Sequence, residues 1–225
     1  MTNFDAILFD AGGILVLPDP TVLCPLLVPY GGGSDLEVYV RAHYRAMAVK
    51  SATGALEGTW HEYDRAYVEC VGVPAHDVEF AADILGQTRH APLWRWPIAE
   101  SVTALVELAR AGMPLGIVSN ASGQIEDVLR RVGVCQVGAG PHTSVQVIVD
   151  SHVVGVSKPD PRIFDFALPH FAQCERSRIA YVGDSVTMDI GGARAAGLYP
   201  ILLDPYDDHS GADFHRIGSL TDLLE

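Results

Sequence analysis

Four short stretches of this 225-residue chain hold the side chains that chemistry would need. Asp10 follows the apolar run F-D-A-I-L-F and precedes the pair Gly12-Gly13. Ser119 and Asn120 follow Leu115-Gly116-Ile117-Val118. Lys158 stands in Gly155-Val156-Ser157-Lys158-Pro159-Asp160-Pro161. Asp184 and Ser185 follow an apolar segment ending in Val182-Gly183, with Asp189 a little further on. Two carboxylates at adjacent strand ends suit a hard divalent cation, and Mg²⁺ takes few protein carboxylates, keeping waters and substrate oxygens as its other ligands. Asp10 and Asp184 are the candidate ligands, with Asp189 close by as a further or water-mediated one. A carboxylate beside such an ion can attack phosphorus and form an aspartyl-phosphate. Lys158 and Ser119 suit stabilisation of the charge that develops on the phosphoryl oxygens, and Asn120 adds a binding amide. Gly12 and Gly13 allow close backbone approach to a substrate.

Each residue also has a plain structural reading. Asp10, Asp184 and the Ser119-Asn120 pair suit turns, Asp189 suits a helix cap, and Lys158 suits a solvated loop. What favours chemistry is where the elements place them. Strand 4–9 ends at a glycine turn. From about residue 98 the pattern alternates: helix 98–111, strand 115–118, helix 124–132, strand 145–149, helix 161–171, strand 179–182, helix 188–196, strand 200–203. Such alternation predicts an α/β fold, a doubly wound parallel sheet of Rossmann type, with helices on both faces. Ligands of these sheets bind outside the carboxyl ends of the strands, where all four stretches fall. Between the first strand and residue 95 the character is helical. Ser34 can cap a helix over 35–50, Thr59-Trp60-His61-Glu62 fits a capping box, and another helix fits 75–85. The expected division is an α/β core over 1–16 and 96–225, with an inserted all-helical subdomain over 17–95.

Composition narrows the classes. Hydrophobic residues make up 48 % and charged residues 19 %, which is globular. A formal charge of −13 disfavours nucleic acid and anionic membranes as partners. Four dispersed cysteines, Cys24, Cys70, Cys135 and Cys174, show no metal-site spacing. No apolar run is long enough to span a membrane, and no signal peptide is evident. The expectation is a reduced, soluble, cytoplasmic protein, monomeric or a homodimer. Among 15 basic residues only Lys50 and Lys158 are lysines.

Taken together, Phe9-Asp10-Ala11-Gly12-Gly13, Ile117-Val118-Ser119-Asn120, the Lys158 stretch with Phe164, and Gly183-Asp184-Ser185 through Asp189 resemble the motifs of the haloacid dehalogenase superfamily. Their order and separations match that family. The resemblance implies a doubly wound core, with the helical insertion as a mobile cap over the site. It implies a phosphatase that uses Mg²⁺, held by Asp10, the backbone carbonyl of Gly12 and Asp184. The substrate would be a small phosphorylated metabolite.

One departure stands out. Most phosphatases of the family have a second aspartate two residues after the nucleophile, as general acid and base. Gly12 stands at that position. Loss of a positioned acid costs roughly 10²–10⁴ in rate. Three readings stay open: a substrate with a good leaving group such as an anomeric or acyl phosphate, an acid supplied from the cap, or a weak phosphatase with another main role. His43, His61 and His76 are the cap candidates for the acid. Lys50 falls in the cap near where a phosphonate-cleaving relative carries a Schiff-base lysine, and it also suits a helix C-terminus. The Trp60, Tyr63, Tyr67 group has core-like helical spacing. The competing functions are a metal-independent haloacid dehalogenase, a phosphonatase-like hydrolase, and a catalytically weak regulatory or binding protein on the same scaffold.

Overall fold

The structure is a computed structural model, and it describes residues 4–54 and 58–224. Strand β1 (Ala6–Phe9) leads into β2 (Val16–Pro18) and then helices α1 (Pro20–Leu27), α2 (Leu36–Ala52), α3 (His61–Cys70) and α4 (Val78–Gln87). The chain returns through β3 (Trp94–Pro97), α5 (Ala99–Arg110), β4 (Leu115–Ser119), α6 (Ile125–Arg131), β5 (Cys135–Val137) and β6 (Thr143–Val145). It ends with β7 (Ile148–Asp150), α7 (Ser151–Val154), β8 (Ile179–Gly183), α8 (Gly191–Ala195), β9 (Tyr199–Leu203) and β10 (His215–Ile217).

Six strands form a parallel sheet in the order β10-β9-β8-β1-β4-β7. β1 is central, which explains its uninterrupted apolar sequence: a strand covered on both faces needs no polar alternation. Ile7 and Phe9 enter one hydrophobic cluster with Leu105, Leu108 and Ile117. Ala6 and Leu8 enter the opposite one with Phe164, Phe171 and Tyr181. This alternation follows from the two-residue period of a strand. The doubly wound α/β fold expected from the sequence is therefore the observed one.

Some elements differ in detail. The apolar stretch 145–149 is not one strand. Val145 closes the small β5–β6 pair, and the sheet strand starts at Ile148. Residues 161–171 form two 3₁₀ segments, Pro161–Phe166 and Leu168–Phe171, with Pro169 breaking the run. The Asp160 side chain caps the first by accepting from the Arg162 N–H at 3.0 Å. The helix expected over 188–196 begins with a wide turn, Val186–Ile190, in which the Ile190 N–H reaches the Ser185 carbonyl at 3.2 Å. Asp35, not Ser34, caps α2, accepting from the Glu37 N–H at 3.1 Å.

The four helices α1–α4 share a separate apolar cluster built on Leu23, Leu27, Tyr39, Tyr67 and Leu85. β2 and β3 pair antiparallel and carry the chain out to these helices and back. Asp19 joins the two paths: its carboxylate caps α1 through the Thr21 N–H at 3.0 Å and receives Arg95 Nε at 2.8 Å. No described helix is long and apolar enough to cross a membrane. The four cysteines are free thiols.

Candidate active site

The carboxyl ends of β1, β4 and β8 bring the predicted residues together. The register pairs Phe9 with both Ile117 and Val182, so Asp10, Ser119 and Asp184 emerge at the same edge. Lys158 reaches this edge from the loop after α7. Its Nζ lies 2.8 Å from Asp10 Oδ2 and 2.7 Å from Asp189 Oδ1. It also donates to the Tyr181 hydroxyl at 2.8 Å, and that hydroxyl donates to the Val118 carbonyl at 2.8 Å. The ammonium is thus held on three sides although Lys158 is 1 % exposed. Burial alone would lower its pKa, but the Asp10 and Asp189 carboxylates outweigh that and raise it, so it stays charged.

Asp189 is fully buried and spends both oxygens. Oδ1 faces Lys158, while Oδ2 accepts from the N–H groups of Asp184 at 3.1 Å and Ser185 at 2.9 Å. It fixes both the lysine and the turn that carries Asp184. A side-chain carbon at Gly183 would fall on this carboxylate, so the turn needs glycine there. Asp10 Oδ1 accepts from the Ala11 N–H at 2.7 Å. Burial raises the Asp10 carboxyl most, Lys158 pulls it down and the charges of Asp189 and Asp184 push it up, with the net result at about 7. Carboxylate oxygens of Asp10, Asp184 and Asp189 lie within 4.8 Å of one another. A set of hard oxygen donors suits a hard divalent cation.

Asn120 brackets the lysine's backbone. Its Oδ1 accepts from the Lys158 N–H at 2.8 Å, and its Nδ2 donates to the Lys158 carbonyl at 3.1 Å. Asn120 therefore positions Lys158 as well as lining the cavity. Ser119 is buried and lines the same cavity. Gly13 adopts a positive φ of 72°, and its carbonyl accepts from the Tyr44 hydroxyl at 2.9 Å. A Cβ at Gly13 would fall on the Asp184 carboxylate. A Cβ at Gly12 would lie 2.9 Å from Trp94 Cζ3.

The three histidines of the helical unit differ in their surroundings. His43 on α2 is 1 % exposed and sits 2.8 Å from Asp184 Oδ2 through Nε2. Its Nδ1 lies 2.9 Å from the Tyr63 hydroxyl. His61 and His76 are exposed, near Glu79 and Asp77. Lys50 does lie in the last turn of α2, is 2 % exposed and lines the same cavity as Asp10. Of the aromatic group, Tyr63 and Tyr67 are core, while Trp60 lines the cavity. The cavity encloses about 250 Å³. Sequence reading missed Trp94 and Tyr181: a tryptophan between two prolines and a tyrosine in an apolar strand both read as packing, and no local signal points them at the site.

The haloacid dehalogenase-like hydrolase family matches residues 4–197. A phosphoserine phosphatase of Thermus thermophilus is 32 % identical over 179 residues, covering 77 % of this chain and 67 % of that protein. The haloacid dehalogenase-like hydrolase domain-containing protein 3 of Bos taurus is 36 % identical over 136 residues, 57 % of this chain and 51 % of that protein. The chain thus spans about half to two thirds of the length of these curated relatives. Among solved structures, a phosphatase from Thermococcus onnurineus superposes with a TM-score of 0.58 at 19 % identity, covering 97 % of this chain and 95 % of that one. The match over residues 4–197, with the four motifs meeting at one sheet edge, establishes that the chain belongs to the haloacid dehalogenase-like hydrolase family.

Proposed function

We propose that the chain is a Mg²⁺-dependent phosphatase of a small phosphorylated metabolite, working through an aspartyl-phosphate on Asp10. The observation that carries this reading is Lys158 Nζ, bridging Asp10 and Asp189 at 2.8 and 2.7 Å beside Asp184. An acid trio alone binds a cation; the added ammonium makes the edge receptive to a phosphoryl group. Asp10, the Gly12 carbonyl and Asp184 would hold the metal, with Asp189 orienting the turn behind them. When bound, Mg²⁺ supplies positive charge that draws in the phosphoryl oxygens and offsets the charge they develop.

This chain's own groups do the rest. An Asp10 carboxylate oxygen forms a bond to phosphorus as the bond to the ester oxygen breaks, leaving the phosphoryl group on Asp10. Lys158 and Ser119 hold the equatorial oxygens during the transfer. Water then attacks the phosphorus, releasing phosphate and restoring the carboxylate. The helical unit over 17–95 acts as the cap, with His43, Met47, Trp60 and Trp94 forming its side of the cavity. Gly12 brings no proton to the departing oxygen, and Trp94 fills the space beside it. That combination favours a leaving group that departs without a proton, such as an anomeric or acyl phosphate.

The test is a panel of phosphate esters, sugar 1-phosphates included, assayed with and without Mg²⁺. Phosphate release that depends on Mg²⁺ and is lost in Asp10→Asn supports the reading. Release no greater than in Asp10→Asn across the panel sinks it, and halide release from a haloacid without metal would replace it with dehalogenation.

A further inference from the structure

Two neighbouring side chains of α2 reach from the helical unit to the sheet edge, and both end beside the candidate metal ligands. The Tyr44 hydroxyl donates to the Gly13 carbonyl at 2.9 Å, in the loop that carries Asp10 and Gly12. His43 Nε2 lies 2.8 Å from Asp184 Oδ2, and the two side chains are 1 % and 4 % exposed. A carboxylate only accepts, so Nε2 carries the hydrogen of this contact. In the neutral ring Nδ1 then accepts from the Tyr63 hydroxyl of α3, 2.9 Å away. Tyr44, Tyr63 and Trp94 pack edge-on to the imidazole, with ring centres 5.2, 5.9 and 5.5 Å away, so it has little room to turn. Gly13 leaves the space that the pair needs: a Cβ there would fall on Asp184 Oδ2 and lie 2.8 Å from His43 Nε2. Asp184 is thus fixed at both ends, its N–H by Asp189 at 3.1 Å and its carboxylate by His43.

Resting on the metal-dependent reading above, we propose that His43 is a positioning residue for the metal, holding Asp184 as a one-oxygen ligand and so favouring Mg²⁺ over Ca²⁺. Oδ2 shares a lone pair with the imidazole N–H, and this bond resists rotation of the carboxylate about its Cβ–Cγ bond. The other oxygen is left as the natural ligand atom. Mg²⁺ demands near-octahedral geometry and takes single carboxylate oxygens, whereas Ca²⁺ gathers more oxygens and accepts a carboxylate through both. The run Tyr63–His43–Asp184 makes this preference a property of the helical unit. The sheet edge supplies the carboxylates, and α2 with α3 sets how one of them is presented.

Calorimetric titration of the chelator-treated full chain with Mg²⁺ and with Ca²⁺ tests this without turnover. His43→Phe keeps a ring in the space but donates nothing. It should weaken Mg²⁺ binding about 10-fold to 100-fold, the usual effect of removing a group that orients a metal ligand. Ca²⁺ binding should weaken less, so the ratio of the two affinities moves toward Ca²⁺. His43→Gln, whose amide N–H can reach the place of Nε2, should restore most of the wild-type ratio. Tyr63→Phe, which frees Nδ1, should move the ratio the same way by a smaller amount. A merely structural role would weaken both ions alike, so an unchanged ratio in His43→Phe overturns the proposal. A shift that His43→Gln fails to reverse overturns it as well. Where His43→Phe does not fold, Tyr63→Phe carries the test, and an unchanged ratio there overturns it equally. Phosphate release from the ester panel is read separately. Mg²⁺-dependent release with an unchanged ratio removes this role of His43 alone, and a shifted ratio without release keeps it and removes the phosphatase reading. A wild-type chain that binds neither ion removes both.

Discussion

The indole of Trp94 occupies the space into which a side chain at Gly12 would project, with Cζ3 only 2.9 Å from an added Cβ. Trp94 belongs to the strand by which the chain returns from the helical unit, and Gly12 to the loop after the first sheet strand. Restoring an acidic side chain at position 12 therefore meets the ring before it meets a substrate. Gly12→Ala should destabilise by about 1–3 kcal/mol, the usual cost of overpacking. That penalty should shrink when Trp94→Leu removes the ring, which urea unfolding of the two single variants and the double variant measures as a coupling energy.

His43 bridges Asp184 and Tyr63 while almost wholly buried. His43→Ala leaves a buried carboxylate oxygen and a buried hydroxyl without that partner. The expected loss is about 1–3 kcal/mol in urea unfolding. His61→Ala, on an exposed side chain, should change stability by less than about 0.5 kcal/mol. Equal effects of the two substitutions would contradict the bridging role.

A cation held by Asp10 and Asp184 in the folded chain would stabilise it by mass action. Free Mg²⁺ at one hundred times its dissociation constant adds about 2.7 kcal/mol. The thermal midpoint should rise with Mg²⁺ in the wild type, and the rise should shrink in Asp184→Asn. Ca²⁺ and Mg²⁺ titrations of the melting curve compare the two ions on the same site.

Asp204 gives the clearest pH dependence away from the site. Burial pushes its carboxyl up, but the Arg216 guanidinium and the N–H groups of His209 and Asp208 outweigh it and hold the pKa below 3.8. A carboxyl depressed in the folded state favours folding above its unfolded pKa, and that contribution fades as pH falls through the folded value. The urea midpoint should thus drop between about pH 5 and pH 3. The drop should be shallower in Asp204→Asn, which has already lost the ionised contact.

The sheet was legible because a parallel strand buried on both faces must be apolar throughout, as in Ala6–Phe9 and Ile179–Gly183. The site edge was legible for a related reason: Asp10, Ser119 and Asp184 stand at the ends of such strands, and Lys158 lies in the loop that returns to them. Boundaries were less so where the backbone departs from regular helix. The turn Val186–Ile190 opens wider than an α-turn while Asp189 holds the N–H groups of Asp184 and Ser185, a demand that local spacing does not encode.

The sequence by itself determined the α/β class, the order of the motifs and the four stretches that supply Asp10, Ser119, Lys158 and Asp184, since those depend on neighbours a few residues apart. Tertiary structure alone decided that His43 meets Asp184 across 141 positions of chain, that Trp94 closes the space at Gly12, and that Lys50 is buried over Trp60 in the cavity of Asp10. The physical reason is that each of these contacts joins the helical unit to the sheet edge or closes within that unit between different helices. Which face of a helix turns inward there is set by packing between distant segments, and helical periodicity gives a buried face without naming what it is buried against.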